Sequence, residues 1–173
     1  MCIVIDMCAL SPVFNKKDQN HCKFKPVLEW LVKGKGQIVY GGSTYKDELR
    51  DANRYGRKYF KILEKNGKLK LVDDTKVDIA EHNIQKIAKK NGIKFNDHHI
   101  VAIIVVSKCL LVCTTNVNHV KQIRDPEFYP RNIERPRIYS RKRNKDLLVD
   151  KYIADICTPK VQGTRRLMNL FGI

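Results

Sequence analysis

The sequence predicts a three-layer α/β domain, a parallel sheet of four or five strands with helices on both faces. Three observations predict it. Short apolar runs recur along the chain, beginning with Cys2-Ile3-Val4-Ile5. Such runs read as strands buried on both faces. Stretches with helical apolar periodicity alternate with them, which implies a parallel sheet built from crossover connections. The first run also ends in a single acid, Asp6, at the place where a strand leaves the sheet. In open α/β sheets that carboxyl edge is where ligands bind.

The elements follow in order. Ala9 to Phe14 is expected to form a short helix, interrupted or kinked near Pro12. Asn15 to Lys25 is polar and reads as a loop. Pro26 suits a helix's first turn, and Val27, Leu28, Leu31 and Val32 give that helix an apolar face. Gly34 and Gly36 end it, and Gln37 to Tyr40 reads as the second strand. Gly41-Gly42 is a turn, with Ser43 or Thr44 as the cap of the next helix. Leu49, Ala52, Tyr55, Tyr59, Phe60 and Leu63 stripe one long helix from Tyr45 to about Lys65, stopped by Gly67. Leu69 to Val72 is the third strand and Asp73-Asp74 a turn. Val77 to Lys90 is amphipathic, and Gly92 stops it. Asp97-His98-His99 opens an apolar helix reaching Val106, and Cys109 to Cys113 is the fourth strand. Pro136 to Tyr139 is the candidate fifth strand. The end, Val161 to Ile173, is basic and then apolar.

The 173 residues fit one domain, with 43% hydrophobic and 30% charged residues placing the chain among globular proteins. There are 34 Lys and Arg against 18 Asp and Glu, a formal charge of +16. The excess is +9 over residues 1–120 and +7 over 121–173, so it is no basic tail on a neutral domain. A surface of this kind favours a polyanion, nucleic acid first; the other reading is a very soluble protein with no such partner. The six cysteines form no Cys-x-x-Cys pair and read as reduced residues of a cytoplasmic protein. A structural zinc site is not expected, because His21-Cys22 has no second pair at ligand spacing. The longest apolar run, Ile100 to Val106, is too short to span a membrane, and the N-terminus lacks the features of a signal peptide.

Four polar positions fall at corresponding places in this layout. Asp6 and Asn116 follow strands one and four, while Glu48 and Asp97 lie at the starts of helices. All four belong to one edge of the sheet. Converging carboxylates repel, and the natural relief is a hard divalent cation, Mg²⁺ or Mn²⁺, held by oxygen donors. The plain alternative for each acid is a helix cap or a surface charge.

Ile3-Val4-Ile5-Asp6 with Ala9-Leu10, then Asp47-Glu48-Leu49, then Asp97-His98-His99-Ile100-Val101-Ala102, then Leu111-Val112-Cys113-Thr114-Thr115-Asn116 resemble a PIN domain in motif order and spacing. The resemblance covers about Met1 to Tyr139. It divides the chain into a PIN-like nuclease domain, residues 1–140, and a basic C-terminal extension, residues 141–173, packed on the same domain. It implies a metal-dependent endoribonuclease using Mg²⁺ or Mn²⁺ to hydrolyse RNA, a toxin of the VapC type or a defence effector. Asp6, Glu48 and Asp97 would be the acidic metal ligands and Thr114 the hydroxyl beside them. Asn116 stands where the family has a fourth acid. Its amide oxygen can hold a ligand or water but adds no charge, which weakens a second metal position. The implied partners are RNA, an antitoxin or other protein inhibitor, and a second copy of the chain; no membrane is involved.

Further residues stay open. Asp51 shares a helix face with Glu48 as an accessory acid, or pairs with Arg50 or Arg54. Arg50 and Arg54, with Arg141, Lys142 and Arg143, are RNA-facing candidates, or solvated charges. His98 and His99 cannot both face the site; the plainer reading is one exposed and one packed. Two rivals stand beside the nuclease. One is a PIN-like RNA-binding or assembly module without catalysis, favoured by Asn116. The other is a flavodoxin-like phosphoacceptor, which lacks support because no glycine-rich phosphate loop follows any strand.

Overall fold

The computed structural model describes residues 2–52, 54–149, 154, 156–157 and 163–173, with the backbone alone for Arg54 and Tyr55. Five strands, β1 (Cys2–Ile5), β2 (Gln37–Tyr40), β3 (Leu69–Leu71), β4 (Leu111–Cys113) and β5 (Arg137–Tyr139), form one sheet in the order β3-β2-β1-β4-β5. Every neighbouring pair is parallel. β1 and β4 are wholly buried, which is why their sequences are continuously apolar.

Crossover connections carry the chain outward from β1 to β3 with α1 (Met7–Phe14), α2 (His21–Lys33), α3 (Ser43–Asp51) and α4 (Arg54–Lys65). The chain then reverses. α5 (Asp74–Lys90) and α6 (His98–Ser107) return it to β4 on the opposite face. α1 packs on α2 and α4, while α5 packs on α6. α6 is apolar all round and buried nearly throughout, as a helix roofing a sheet must be. The reversal lies between β1 and β4, where Val4 is registered with Val112 and Ile5 with Cys113. The crevice at that point is the ligand position of an open α/β sheet.

Several local expectations are corrected. α1 runs through Pro12 without interruption, because burial of Ala9, Leu10, Val13 and Phe14 outweighs one missing hydrogen bond. α2 begins at His21, so Pro26 lies inside it. Phe24 anchors the added turn against Tyr139, ring centroids 5.9 Å apart. The expected long helix is two, separated at Ala52, whose backbone is extended. The apolar stripe continues across that break, so periodicity could not reveal it. Tyr55, expected in the stripe, has its side chain outside the described residues. The cysteines are not all reduced. Cys2 and Cys157 are disulfide-bonded with Cα atoms 6.0 Å apart.

The C-terminal segment ends in α7 (Arg165–Phe171), with Leu167 and Phe171 buried. Phe171 stacks on Tyr59 at 5.1 Å and lies 6.1 Å from Phe14. Val161 and Gln162, at the start of the expected segment, lie outside the described residues. Among the described residues no helix is long and apolar enough to cross a membrane.

Candidate active site

β1 delivers Asp6 directly into the crevice. Its backbone N–H completes the ladder to Cys113 O at 2.9 Å, and its side chain caps α1 by accepting from Cys8 N at 3.4 Å. Asp6 is 5% exposed. Thr114, just past β4 and fully buried, donates its hydroxyl to Asp6 Oδ2 at 2.6 Å. The same hydroxyl accepts the Asn116 N–H at 3.0 Å, which turns the chain behind β4. The Cys8 thiol also donates to Asp6 Oδ2, at 3.0 Å. Burial of the sulfur, together with the Asp6 charge, pushes that thiol up, so it stays protonated although the residue itself is exposed. Sequence reasoning passed over Cys8, and its position two residues after the acid was the available signal.

Glu48 reaches the same edge from α3. Tyr45, one helical turn earlier on the same face, donates its phenol to Ile5 O at 2.7 Å, the last carbonyl of β1. Burial and the neighbouring Asp6 and Glu48 charges hold this phenol protonated. Tyr45 was another residue missed by the motif reading. Neither Ser43 nor Thr44 caps α3. The cap comes from α5: Asp74 accepts the Gly42 N–H at 2.8 Å and Asp78 the Ser43 N–H at 2.7 Å. Thr44 donates to Glu81 at 2.9 Å. Gly42 makes the approach possible, at φ +82 and with no side chain to meet Val77.

Asp97 precedes α6 and is largely covered. Its Oδ2 is hydrogen-bonded to His119 Nδ1, another group that the motif reading omitted. The two histidines after Asp97 diverge. His98 is half-buried against Phe95, ring centroids 4.7 Å apart. His99 is 2% exposed, with Nε2 3.3 Å from Glu48 Oε2. That approach is out of line for a hydrogen bond, and neither ring nitrogen of His99 has a hydrogen-bond partner among the described residues. Burial pushes His99 down against the opposing fields of Asp97 and Asp6, so the imidazole is neutral.

Glu48 senses the other acids. Burial raises Glu48 first, followed by the charges of Asp6, Asp97 and Glu81. In a chain of charge +16, no Lys or Arg among the described residues pairs with Asp6, Glu48 or Asp97. Asp51 is exposed at the rim of a cavity of about 310 Å³ that Glu48 also lines. Arg50 pairs with Asp47 at 3.0 Å and, with Arg57 and Lys61, lines a neighbouring cavity of about 410 Å³. Arg54 opens α4, its side chain outside the described residues. Arg141, Lys142 and Arg143 are exposed beyond β5, and Arg141 lines a groove of about 480 Å³ with Lys23 and Thr115. The basic groups thus flank the acidic crevice rather than fill it.

From three elements, Asp6, Glu48 and Asp97 bring oxygen donors of the kind a hard divalent cation takes, with no Lys or Arg of the described residues paired to them and with His119 bonded to Asp97. The spacing limits the manner of binding. Among the described residues no three His, Cys, Asp or Glu side chains stand close enough together to share one ion. A hydrated ion held by one or two carboxylates, with water completing its shell, suits that spacing.

No family model matches the chain, and no curated protein matches it. Among solved structures, it is similar to a chain in the crystal structure of VapBC2 from Rickettsia felis bound to a DNA fragment from their promoter. The similarity has a TM-score of 0.51 at 17% identity and covers 75% of this chain and 96% of that one. The architecture is a three-layer, PIN-like α/β fold. At that identity the likeness establishes the fold alone.

Proposed function

We propose that this protein is a metal-dependent endoribonuclease that hydrolyses RNA phosphodiester bonds, with Asp6, Glu48, Asp97 and Asn116 forming the site. The observation that carries the reading is an acidic crevice, in a strongly basic chain, whose acids pair with no Lys or Arg among the described residues. Asp6, Glu48 and Asp97 are the proposed metal ligands, one or two of them at a time holding a hydrated Mg²⁺ or Mn²⁺, which would supply Lewis-acid polarisation of the phosphodiester. The chain's own groups do the rest. Thr114 and Cys8 hold the Asp6 carboxylate in one orientation, and Tyr45 fixes α3 so that Glu48 faces it. Asn116 offers an uncharged amide in place of a fourth acid. Asp51 is an accessory acid at the rim. Arg50 and Arg54 on one side, and Arg141, Lys142 and Arg143 on the other, attract and position the RNA backbone. The biological role in this reading is a cytoplasmic toxin or defence effector restrained by an antitoxin or other protein inhibitor, acting as a homodimer. Residues 1–140 form the nuclease domain and residues 141–173 its basic extension.

The test is cleavage of end-labelled RNA with Mn²⁺, with and without EDTA. Cleavage should require the metal and should fall by at least about a hundredfold in Asp6→Asn and Asp97→Asn, with unchanged melting cooperativity. Parental rates in either variant would overturn the assignment. A second reading is favoured by Asn116 together with the wide spacing of the acids: a PIN-like RNA-binding or assembly module without catalysis. RNA that is retarded on a gel yet intact in Mn²⁺ would select it.

A further inference from the structure

A cavity of about 410 Å³ lies on the side of α3 away from Glu48. α3 is the wall between two hollows: Glu48 and Asp51 line the one beside the crevice, and Lys46, Leu49 and Arg50 line the other. A helix is about 10 Å across, and stacked nucleotides advance about 3.4 Å each. A strand with a phosphodiester at the acids therefore reaches this cavity within about three nucleotides. Its opposite wall is α4, where Arg57, Phe60, Lys61 and Glu64 recur at the spacing of one helical face. Tyr40, at the end of β2, closes the hollow. Its half-buried ring meets Phe60 edge-to-face at 5.4 Å and lies 6.4 Å from Tyr45, so it is a fixed aromatic surface.

Three polar groups of the lining are uncommitted. The phenols of Tyr45, Tyr129 and Tyr139 each donate to a backbone carbonyl, whereas that of Tyr40 has no hydrogen-bond partner among the described residues. Lys61 and Glu64 stand one turn apart on α4, yet neither is in an ion pair among the described residues. The Glu64 charge acts on the Tyr40 phenol, so the carboxylate belongs to the same hollow as the ring. Lys46 and Arg50, by contrast, are taken up by Asp74 and Asp47. A carboxylate in such a lining repels phosphate but accepts the N–H groups of a base edge. Guanine is the RNA base with two adjacent N–H donors, N1 and N2, for one carboxylate and two adjacent acceptors, O6 and N7, for a cation. Its flat face suits an aromatic ring.

We infer that this hollow is a pocket for a guanine base of the RNA, stacked on Tyr40, with its N1–H and N2–H donated to Glu64 and its acceptor edge turned to Lys61. The inference rests on the proposed RNA substrate and adds a base preference, which contacts to phosphate alone do not supply.

The test uses the full-length protein in EDTA, so it reads binding without cleavage. The probes are fluorescently labelled pentaribonucleotides of uridine with guanosine, adenosine, cytidine or uridine at the centre, followed by anisotropy. The wild type should bind the guanosine strand about tenfold more tightly than the other three. Glu64→Gln, an exposed position, should bring the guanosine strand down to the affinity of the others. Tyr40→Leu should weaken all four strands about fivefold or more, and Tyr40→Phe should keep most of the affinity. Each variant is checked by its melting transition. Equal affinities for the four strands, a preference for another base, or a guanine preference that survives Glu64→Gln would overturn the pocket and leave the nuclease reading to stand on its metal-dependent cleavage. An acidic, leucine-containing peptide that binds where no strand does, and is lost in Lys61→Gln, would give the hollow to a protein partner and overturn the inference as well. No binding of any strand together with no RNA cleavage in Mn²⁺ would overturn both.

Discussion

Thr114→Val is the sharpest probe of how the crevice is held, because it removes one hydroxyl and keeps the side-chain shape. That hydroxyl donates to Asp6 Oδ2 at 2.6 Å and accepts the Asn116 N–H at 3.0 Å, and the residue is fully buried. A buried hydrogen bond to a charged group contributes about 1.5–3 kcal/mol and a neutral one about 0.5–1.5. The Cys8 thiol still donates to the same carboxylate oxygen and offsets part of the loss. The expected cost is about 2–4 kcal/mol. For a chain of this length that lowers Tm by roughly 5–15 °C, at about 2–4 °C per kcal/mol. Urea midpoints of wild type, Thr114→Val, Asp6→Asn and the double variant form a cycle, with an expected coupling of about 1–2 kcal/mol. Thr114→Ser should recover most of the loss. A Thr114→Val stability within about 0.5 kcal/mol of wild type, or a coupling near zero, would refute the claim that this hydroxyl holds Asp6.

Three further outcomes follow from the same contacts. The native Glu48 holds its proton to higher pH than the unfolded chain does, so its ionisation costs stability as pH rises above the ordinary carboxylate range. Glu48→Gln should therefore gain Tm relative to wild type between pH 4 and pH 7; a constant gap would refute it. Lys68 is fully buried, donates to Gly34 O at 2.7 Å and is lowered by burial from 10.5 to about 8. Between those values the unfolded chain binds more protons, so wild-type stability should rise relative to Lys68→Met by up to about 3 kcal/mol from pH 7.5 to 10.5, read from urea midpoints. Gly42→Ala places a Cβ 2.5 Å from Val77 Cγ1 at φ +82 and should cost about 2 kcal/mol or more, read as a fall in Tm.

What the sequence disclosed and what it hid divide along a physical line. β1, β2 and α6 are set by local signals, an apolar run or a continuous hydrophobic face, and their extents match the reading closely. The early start of α2 was hidden because Phe24 gains its value from Tyr139, 115 residues away in sequence. The cap of α3 was hidden for the same reason: its donors find Asp74 and Asp78 on another helix, so a Ser-Thr pair at the expected place misled. The disulfide joins the first strand to a segment near the far end, and spacing carries no trace of such a pairing. In the crevice, the acids were visible from their places after strands and before helices. Cys8, Tyr45, His99 and His119 were not, since each matters through what it faces rather than where it stands in the chain.

The identity of the groups facing the acids bears on function more than the acids do. A carboxylate kept for stability in this chain had 34 Lys and Arg side chains from which to draw a partner, and several exposed acids draw one: Asp47 takes Arg50, Glu29 takes Lys25 and Lys33, Glu134 takes Arg137. Asp6, Glu48 and Asp97 face a threonine hydroxyl, a thiol, a neutral imidazole and His119 instead. The threonine hydroxyl and the thiol orient the Asp6 carboxylate without cancelling its charge, whereas a lysine or arginine would do both. Negative potential is thereby preserved at the switch point while Arg50 and Arg141 stand in the grooves to either side. In the proposed nuclease, a small cation would be drawn to the centre of such a surface and a polyanion to its margins.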